Sequence, residues 1–322
     1  MTTIRLLHIS DLHFSTLPAP LRFPALLRGG LHRLFVRAHS PTLGEGLARW
    51  LYENGDDIDG IVATGDLATT GRPDDLRAAH RFLCEPPGDE GRWLTAKGEP
   101  VIGQFRNENR LFLVPGNHDR FDGLLMKPAG RHFDRVFGTE WRARQSAQTC
   151  GVLASNGKAV LLIGLDLSLT TSADASTDAG GAHGQGRAYD RVLQRAIQLS
   201  ASGRKRLVAE GLVGSGDDDV ALLWLIHFPP DFRPLAKALE LVDDAELIGA
   251  GDRAGVTGFL AGHTHEAQVY RVGRNGAKVA CASSALQYEE GRNSIQTVDI
   301  EFGAAGVRLD VSVLRWDGVA FA

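Results

Sequence analysis

Cysteine is scarce in this chain of 322 residues, which contains three, at Cys84, Cys150 and Cys281. An odd number of widely separated cysteines does not match the paired spacing of a disulfide framework. Disulfides are also rare in proteins of reducing compartments. We therefore interpret the three residues as buried free thiols and expect the protein to be cytoplasmic.

Long apolar segments are lacking as well. No apolar run reaches the ~20 residues that a helix needs to cross a bilayer. Residues 1–10 read MTTIRLLHIS and lack the basic region, apolar core and small-residue cleavage site of a secretory signal. We expect no transmembrane segment, which agrees with a cytoplasmic location.

An excess of positive charge is the third feature that the sequence lacks. It contains 35 Lys and Arg against 39 Asp and Glu, for a formal net charge of -4. Because non-specific binding of nucleic acids depends mostly on Lys and Arg that meet phosphates, we expect no stable nucleic-acid binding. The hydrophobic content of 43% allows a large core. No change in composition divides the chain, so we predict one domain over 1–322.

Short apolar runs are present throughout the chain, and several end in Gly, Asp, Asn or His. Because they are rich in Leu and β-branched residues, they predict strands that are buried on both faces. These runs cover residues 4–13, 58–67, 110–119, 159–166, 220–230 and 256–265. Helix-like segments lie at 43–54, 73–84, 187–200 and 234–243. Alternating segments after residue 265 predict antiparallel strands, and the whole pattern predicts a layered α/β sandwich.

Polar side chains with metal-binding chemistry follow the predicted strands. They are Asp11, His13, Asp66, Asn117, His118, His227, His263 and His265. The carboxyl ends of strands in open α/β sheets form the crevice where ligands bind, so we expect these residues to converge. Imidazole, carboxylate and amide groups are ligands that divalent first-row metals accept. Two pairs, Asp11 with His13 and His263 with His265, are two residues apart, and alternate side chains of an extended backbone share a face.

The order of the motifs, D-x-H, GD, GNH-D, a single His and GHTH, resembles that of the calcineurin-like metallophosphoesterase superfamily from about residue 4 to residue 266. ISDLH, GNHDR and GHTH are most similar to the class III cyclic-nucleotide phosphodiesterase branch. The resemblance implies an α/β fold, a layered α/β/β/α sandwich of two mixed sheets flanked by helices. Within it, 14–42 would be an insertion at the rim of the site, and 266–316 would form C-terminal antiparallel strands of the second sheet.

The same resemblance implies a pair of divalent or transition metal ions. One ion would be held by Asp11, His13 and His265, the other by Asn117, His227 and His263, and Asp66 would bridge the two. His118 would lie beside the ions and contact the substrate or its leaving group. We also expect Asp119 to orient its neighbours, and Arg120 could reach a phosphate. A set of N and O ligands without cysteine favours Mn, Fe or Zn over Ca.

These expectations predict a phosphodiesterase. Two divalent ions with the carboxylates of Asp11 and Asp66 leave a charge of roughly +2, which a phosphodiester and a hydroxide, each of charge -1, would neutralise. The predicted reaction is attack of a metal-bound hydroxide on a small phosphate diester, with a 3′,5′-cyclic nucleotide as the first substrate to test. His118 would assist the leaving group as a general acid. We leave open whether the protein forms a homo-oligomer.

Three alternatives stay open. Segment 21–39 combines apolar residues with four arginines, so the same metals could serve a nucleotide-lipid pyrophosphatase of the UDP-diacylglucosamine type at a membrane surface. A nuclease is the second alternative, and the acidic balance argues against it. An inactive interaction scaffold is the third, and the complete set of ligand types argues against it. Residues 172–187, rich in Gly, Ala, Ser and Asp, predict a mobile loop without an assigned role.

Overall fold

The computed structural model describes residues 1–16, 39–88, 93–103, 109–122, 127–128, 131–142, 146–169, 184–232, 239–287 and 291–322. The helices are α1 (Pro41–Asn54), α2 (Pro73–Cys84), α3 (Asn117–Arg120), α4 (His132–Val136), α5 (Asp190–Ala209) and α6 (Asp244–Ala254). The strands are β1 (Thr2–Ile9), β2 (Gly60–Thr64), β3 (Leu111–Val114), β4 (Phe121–Asp122), β5 (Lys127–Pro128), β6 (Ala147–Ser155), β7 (Lys158–Leu165), β8 (Gly186–Arg187), β9 (Val220–Leu225), β10 (Leu241–Val242), β11 (Gly258–Ala261), β12 (Gln268–Val272), β13 (Ala277–Cys281), β14 (Ser294–Gly303) and β15 (Gly306–Arg315).

One large sheet has five strands in the order β15-β14-β1-β2-β3. β1 is parallel to β2 and β2 to β3, whereas β14 is antiparallel to both β1 and β15. Every residue of β2 is buried, as expected for a strand that is covered on both faces. Helices α1 and α2 cover this sheet, since Leu43, Leu47, Leu76 and Leu83 belong to the same buried cluster as the side chains of β1 and β2.

The other large sheet has six strands in the order β12-β13-β11-β9-β7-β6. Its inner strands are parallel, and the antiparallel strands β6 and β12 lie at the edges. A second buried cluster joins this sheet to α5 and α6 through Val192 and Leu247. Leu162 of β7 and Leu223 of β9 belong to the first cluster instead, so the two sheets pack face to face. The predicted α/β/β/α sandwich of two mixed sheets flanked by helices is confirmed.

The prediction that all strands of 266–316 join the second sheet is wrong for the last two. β12 and β13 lie in the six-stranded sheet, but β14 pairs with β1 and brings β15 into the five-stranded sheet. Burial alternates along most of β14, as in a strand with one covered face. Such a pattern shows which side chains point inward and not which strand is the neighbour. In the structure β14 covers the edge of β1 that β2 leaves open, which removes an unpaired edge.

The predicted helices agree with the structure except near residue 240. Helix α2 spans the predicted residues, α1 begins two residues earlier, and α5 is shifted and longer. The helix predicted at 234–243 is not observed where the chain is described, because 241–242 form β10 and α6 begins only at Asp244. Helix α6 was not predicted from the sequence, because it contains Gly249 and Gly251 and glycine is a poor helix former. In the described parts of the chain, no helix is both long and apolar enough to cross a membrane.

Two segments that were singled out in the sequence fall mostly outside the described residues. They are the expected insertion 14–42, which includes the basic segment 21–39, and the expected loop 172–187. What is described of them is short: 14–16, 39–42 and 184–187. A single domain over 1–322 stays a proposal, which the buried cluster shared by both sheets supports.

Five parallel strands of the two sheets lead into the predicted site. β1 ends before Asp11, β2 before Asp66, β3 before Asn117, β9 before His227 and β11 before His263. Backbone hydrogen bonds then join the segments that follow: Asp11 donates to the Gly65 carbonyl at 3.0 Å, and Gly262 donates to the His227 carbonyl at 2.9 Å. The carboxyl ends of strands from both sheets therefore meet at one place.

Candidate metal centre

The residues predicted to bind metals follow these carboxyl ends, Asn117 at the start of α3 and the others in loops, and most are buried. Six residues are at most 8% exposed: Asp11, His13, Asp66, Asn117, His227 and His263. The side chains of His118 and His265 are 18% and 21% exposed. Burying carboxylates in this way costs free energy unless a partner or a cation offsets their charge. The two partly exposed imidazoles mark the open side of the cluster.

The backbone at the cluster is left-handed at five of these positions. φ is 54° at Asp11, 50° at His13, 48° at Asp66, 73° at His263 and 55° at His265. The two pairs therefore do not share a face through extended backbone, as the sequence had suggested. Their side chains converge because each of these residues turns the chain. Non-glycine residues with positive φ are uncommon and cluster at functional sites, where the surrounding structure holds them.

The first group of side chains contains Asp11, His13 and His265, whose ligand atoms lie within 4.8 Å of one another. His265 Nε2 is 3.2 Å from Asp11 Oδ1. His13 Nε2 is 3.3 Å from His265 Nε2 and 3.8 Å from Asp11 Oδ1. These three residues are the set that the motif order implied for one metal ion.

The second group contains Asp66, His227 and His263. His227 Nε2 is 3.3 Å from Asp66 Oδ2 and 3.1 Å from Asn117 Oδ1, so the asparagine joins this group as well. Asp66 Oδ2 is also 4.0 Å from His13 Nε2 in the first group. Asp66 therefore lies between the two groups, at the place that a bridging carboxylate would occupy.

The charges of the buried groups favour a cation in the cluster. Burial lowers the pKa of His13 and of His263 to about 3, so both imidazoles are neutral at pH 7 and keep a lone pair for a metal. Burial opposes ionisation of Asp11 and Asp66, but the neighbouring histidines outweigh it and hold the pKa of both carboxyls below the usual value. Burial likewise opposes a charge on His227, yet the Asp66 carboxylate raises the pKa of that imidazole to about 9. Asp66 thus strongly favours positive charge beside it.

The cluster fits a pair of divalent cations. Asp11 Oδ1 is buried and accepts no hydrogen bond within the described residues, although two imidazole nitrogens face it. His13 Nε2 also lies 3.3 Å from His265 Nε2. Two ring nitrogens at this distance attract each other only when a hydrogen or a cation lies between them. A cation at this place would accept a lone pair from each of these ligand atoms. The donor set, imidazole with carboxylate and amide oxygen, is the set that Mn, Fe and Zn accept.

Asp119 joins the loop after β2 to the loop after β3. Its Oδ2 accepts hydrogen bonds from the backbone N–H of Gly116 at 2.9 Å and Leu67 at 3.2 Å, and its Oδ1 accepts from Ala68 at 3.0 Å. Burial and the nearby Asp66 raise the pKa of Asp119 to about 7. The contacts support the expected orienting role, because the two loops carry Asp66 and Asn117.

His118 lies beside Asp66 on the open side of the cluster. Its backbone N–H donates to Asp66 Oδ1 at 2.8 Å, and its Nδ1 is 2.7 Å from the Thr69 carbonyl. A carbonyl accepts only, so Nδ1 carries the hydrogen of this bond. The other ring nitrogen, Nε2, is 3.9 Å from Asp66 Oδ2. The hydrogen bond of Nδ1 therefore orients the imidazole so that Nε2 faces the cluster.

Arg120 is engaged elsewhere. It is 6% exposed, and its guanidinium donates to Asp166 at 2.7 Å and to Asp134 at 2.6 Å while lying over the ring of Phe133. Two carboxylates neutralise its charge, so we withdraw the expectation that it reaches a phosphate. Asp166, which directly follows β7, was not predicted as a residue of the site. Its position at the end of a strand, the signal used for the other acidic residues, could have found it.

Main-chain groups also shape the centre, and residue types alone do not show them. The Thr64 carbonyl is 2.7 Å from His227 Nδ1, and the Leu239 carbonyl is 3.1 Å from His263 Nε2. Together with the Thr69 carbonyl beside His118, these acceptors fix the tautomer and orientation of three rings. Every residue type has a backbone carbonyl, so no sequence motif predicts these contacts.

Comparison with known proteins supports this description. The family model for calcineurin-like phosphoesterases matches residues 4–267. The chain belongs to the calcineurin-like phosphoesterases. The predicted superfamily is thus confirmed, and this family hydrolyses phosphoesters and binds divalent metals. The class III branch is not distinguished by this match.

Solved structures show the same fold at low sequence identity. A dimetal phosphatase from Danio rerio is 13% identical, with 99% of this chain and 99% of that chain covered and a TM-score of 0.53. The anchor protein GAP50 of the inner membrane complex of Plasmodium is 11% identical, with 100% and 87% covered and a TM-score of 0.52. No curated protein matches the sequence. At such identities the likeness concerns the fold alone.

Proposed function

We propose that this calcineurin-like phosphoesterase is a phosphoric diester hydrolase that depends on two metal ions. The observation that carries the proposal is the position of Asp66 between two groups of imidazole and carboxylate ligands. Asp11, His13 and His265 would hold one ion, and Asn117, His227 and His263 would hold the other. When bound, the ion pair would supply activation of water at neutral pH and offset the charge of the phosphate.

The protein's own side chains would perform the remaining tasks. In its imidazolium form His118 would donate the Nε2 proton to the leaving oxygen, since its Nδ1–H is bonded to the Thr69 carbonyl and only Nε2 is directed toward the cluster. A general acid typically contributes 10²–10⁴-fold to a rate. Asp119 would keep the loops of Asp66 and Asn117 in register through its three backbone contacts.

The charge of the site favours a diester over a monoester. Two divalent ions and two carboxylates leave roughly +2, which a monoanionic diester and a hydroxide would neutralise. A dianionic monoester would need another group that stays cationic through the reaction, whereas His118 gives its proton to the leaving oxygen and Arg120 is paired with Asp134 and Asp166. The resemblance of ISDLH, GNHDR and GHTH to the class III branch makes a 3′,5′-cyclic nucleotide the first substrate to test.

Substrate preference can be measured on protein reconstituted with Mn, Fe or Zn. We expect a higher kcat/KM for bis-p-nitrophenyl phosphate than for p-nitrophenyl phosphate, and hydrolysis of cyclic AMP. Preference for the monoester would contradict the diesterase proposal and leave the family intact. Cleavage of UDP-linked pyrophosphates or of single-stranded DNA in place of cyclic AMP would support one of the alternatives instead. Metal-loaded protein without activity on any phosphoester would point to a scaffold.

A further inference from the structure

A separate group of metal-binding side chains lies at the end of α2. His80 and Cys84 are four residues apart in this helix, so their side chains lie on one face of it. Glu140 comes from the turn that follows α4. One ligand atom from each side chain, an imidazole nitrogen, the thiol sulfur and a carboxylate oxygen, lies within 4.8 Å of the other two. None of the three residues belongs to the dinuclear centre.

Neighbouring contacts hold these residues in place. Cys84 Sγ is 4.0 Å from Glu140 Oε1. The backbone of Glu140 is fixed at both polar groups, since its N–H donates to the Phe137 carbonyl at 3.0 Å and its carbonyl accepts from Gln148 Nε2 at 2.9 Å. The ring of His80 packs against that of Phe137 with centroids 5.3 Å apart. Packing therefore positions the three side chains, as a metal site requires.

We propose that His80, Cys84 and Glu140 bind a zinc ion. Thiolate, imidazole and carboxylate are all ligands that zinc takes, and a water molecule would complete a tetrahedron with three protein ligands. Bond lengths of 2.0–2.3 Å place tetrahedral ligands roughly 3.3–3.6 Å apart. The Cys84–Glu140 pair, at 4.0 Å, has to close by only about half an ångström to reach this separation.

Charge and access are consistent with one divalent ion. Cys84 is 2% exposed, and a thiolate there would form a pair of negative charges with Glu140. A zinc ion neutralises the pair, and burial of a neutral set costs far less than burial of two anions. Binding releases the thiol proton to the solvent. His80 and Glu140 are only partly buried, which leaves a route for the ion and a position for the water.

The ion would tie the end of α2 to the turn after α4. Helix α2 begins at Pro73, just after the loop whose Thr69 carbonyl contacts His118. Zinc would therefore stabilise a helix that adjoins the dinuclear centre without contacting the substrate. The proposal does not depend on which phosphoester the protein hydrolyses.

Substitution with cobalt tests the proposal through a signal that the dinuclear centre does not give. Co²⁺ bound to a thiolate absorbs in the near ultraviolet by charge transfer from sulfur, whereas the ligands of the dinuclear centre are nitrogen and oxygen atoms. We expect the full-length protein, titrated with Co²⁺, to bind one ion beyond the pair and to develop this band. Cys84→Ser should lose the band and this ion and keep the others. Cys150→Ser, at another free thiol, should keep both.

Two results would overturn the zinc proposal. The first is wild-type protein that fills its dinuclear centre with Co²⁺ and shows no thiolate band, a result that requires no variant to fold. The second is a band that survives in Cys84→Ser and disappears in Cys281→Ser, because Cys281 lies beside Thr264 and belongs to another part of the fold. Glu140→Gln provides a milder test, since it keeps the thiolate. It should shift the cobalt titration at least ~10-fold toward higher concentration, and an unchanged titration would contradict the ligand set.

Discussion

At the scale of single residues, His118 is held beside the centre by its backbone and by its side chain. Its backbone N–H bonds to Asp66, and its imidazole is oriented by the Thr69 carbonyl. Because His118→Ala keeps the backbone bond, it should remove the proton donor and leave the metal ligands in place. We expect kcat to fall roughly 10²–10⁴-fold with unchanged metal content, measured by steady-state kinetics and elemental analysis.

His132→Ala is the matched control for that substitution. The Nδ1 of His132 also lies near a backbone carbonyl, that of Gly71 at 3.1 Å, but the residue belongs to none of the metal-binding groups around Asp66. It should retain a rate within about threefold of the wild type, since substitutions away from reacting groups have small effects. A similar loss in both variants, or a loss of metal from His118→Ala, would contradict the assignment of His118 as the acid.

His8 gives a second prediction at this scale, on stability. Burial lowers the pKa of its imidazole to about 4 from the ordinary 6.5, and its ring nitrogens contact Gln296 and Thr64 at 3.0 and 2.9 Å. Between pH 6.5 and about 4 the His8 imidazole is therefore mostly neutral in the folded protein and mostly protonated in the unfolded chain. The contribution is intact above pH 6.5 and is lost as the pH falls from 6.5 toward 4. Between pH 7 and pH 5 we expect a loss of about 2 kcal/mol from this residue.

Urea unfolding of the wild type and of His8→Gln at both pH values measures this contribution. The variant should lose about 2 kcal/mol less than the wild type over this interval, whatever its stability at pH 7. Both proteins are compared with the same metal content, so that protonation of the metal ligands cancels. Equal losses in the two proteins would show that His8 is not the group that resists protonation.

At the scale of elements, the loops after β2 and β3 are joined by Asp119. In Asp119→Asn one acceptor oxygen becomes an N–H₂ donor, which faces the backbone N–H groups that the carboxylate now accepts from. The size of the side chain hardly changes. We expect metal affinity to fall roughly 10–100-fold, because partners of metal-bearing loops commonly have effects of this size. Titration against a chelator measures the affinity, and an unchanged value would show that the loops hold their geometry without Asp119.

The same elements show how far the sequence predicts the site. The strands that end before Asp11, Asp66 and His227 were recognisable because apolar runs buried on both faces have a plain signature. Helix α2 was predicted to the residue, since Pro73 marks its first turn. The left-handed turns at Asp11 and His263 were not predicted, because those conformations are imposed by the contacts around them and not by the local residue types.

The sheet that β14 and β15 join was predicted wrongly for a different reason. β14 has the alternating burial of a strand with one covered face, and β15 is mostly partly buried or exposed, so this pair of strands would fit at the edge of either sheet. The pairing of β14 with β1 joins residues nearly 300 positions apart in the chain, such as Thr2 and Phe302. A signal confined to neighbouring residues cannot specify such a partner.

At the scale of the whole molecule, the centre joins the two sheets. His227, after β9 of the six-stranded sheet, contacts the Thr64 carbonyl at the end of β2 in the five-stranded sheet. The backbone N–H of His263 donates to Asp11 Oδ2 at 3.0 Å, again between residues that follow strands of different sheets. Ions bound by these residues would contact both halves of the sandwich. Metal binding should therefore stabilise the complete fold and not one loop.

Removal of the ions tests this coupling. A ligand that binds only the folded state adds RT ln(1 + [L]/Kd) to its stability, about 2.7 kcal/mol when free metal is a hundredfold above Kd. Without a cation, Asp11 and Asp66 keep two buried negative charges close to each other, which adds to the loss. We expect calorimetric unfolding to remain a single transition whose Tm rises with metal concentration.

Two variants separate the dinuclear centre from the proposed zinc site in this measurement. Asp66→Asn removes the carboxylate between the two groups of ligands and should abolish most of the rise in Tm, because neither ion then has its shared anionic ligand. Cys84→Ser affects only the site at the end of α2 and should keep the part of the rise that depends on Asp66. Suppose instead that metal binds with the expected stoichiometry and Tm does not change. The ions would then bind the unfolded chain as tightly as the folded protein, which would contradict a centre that the two sheets assemble.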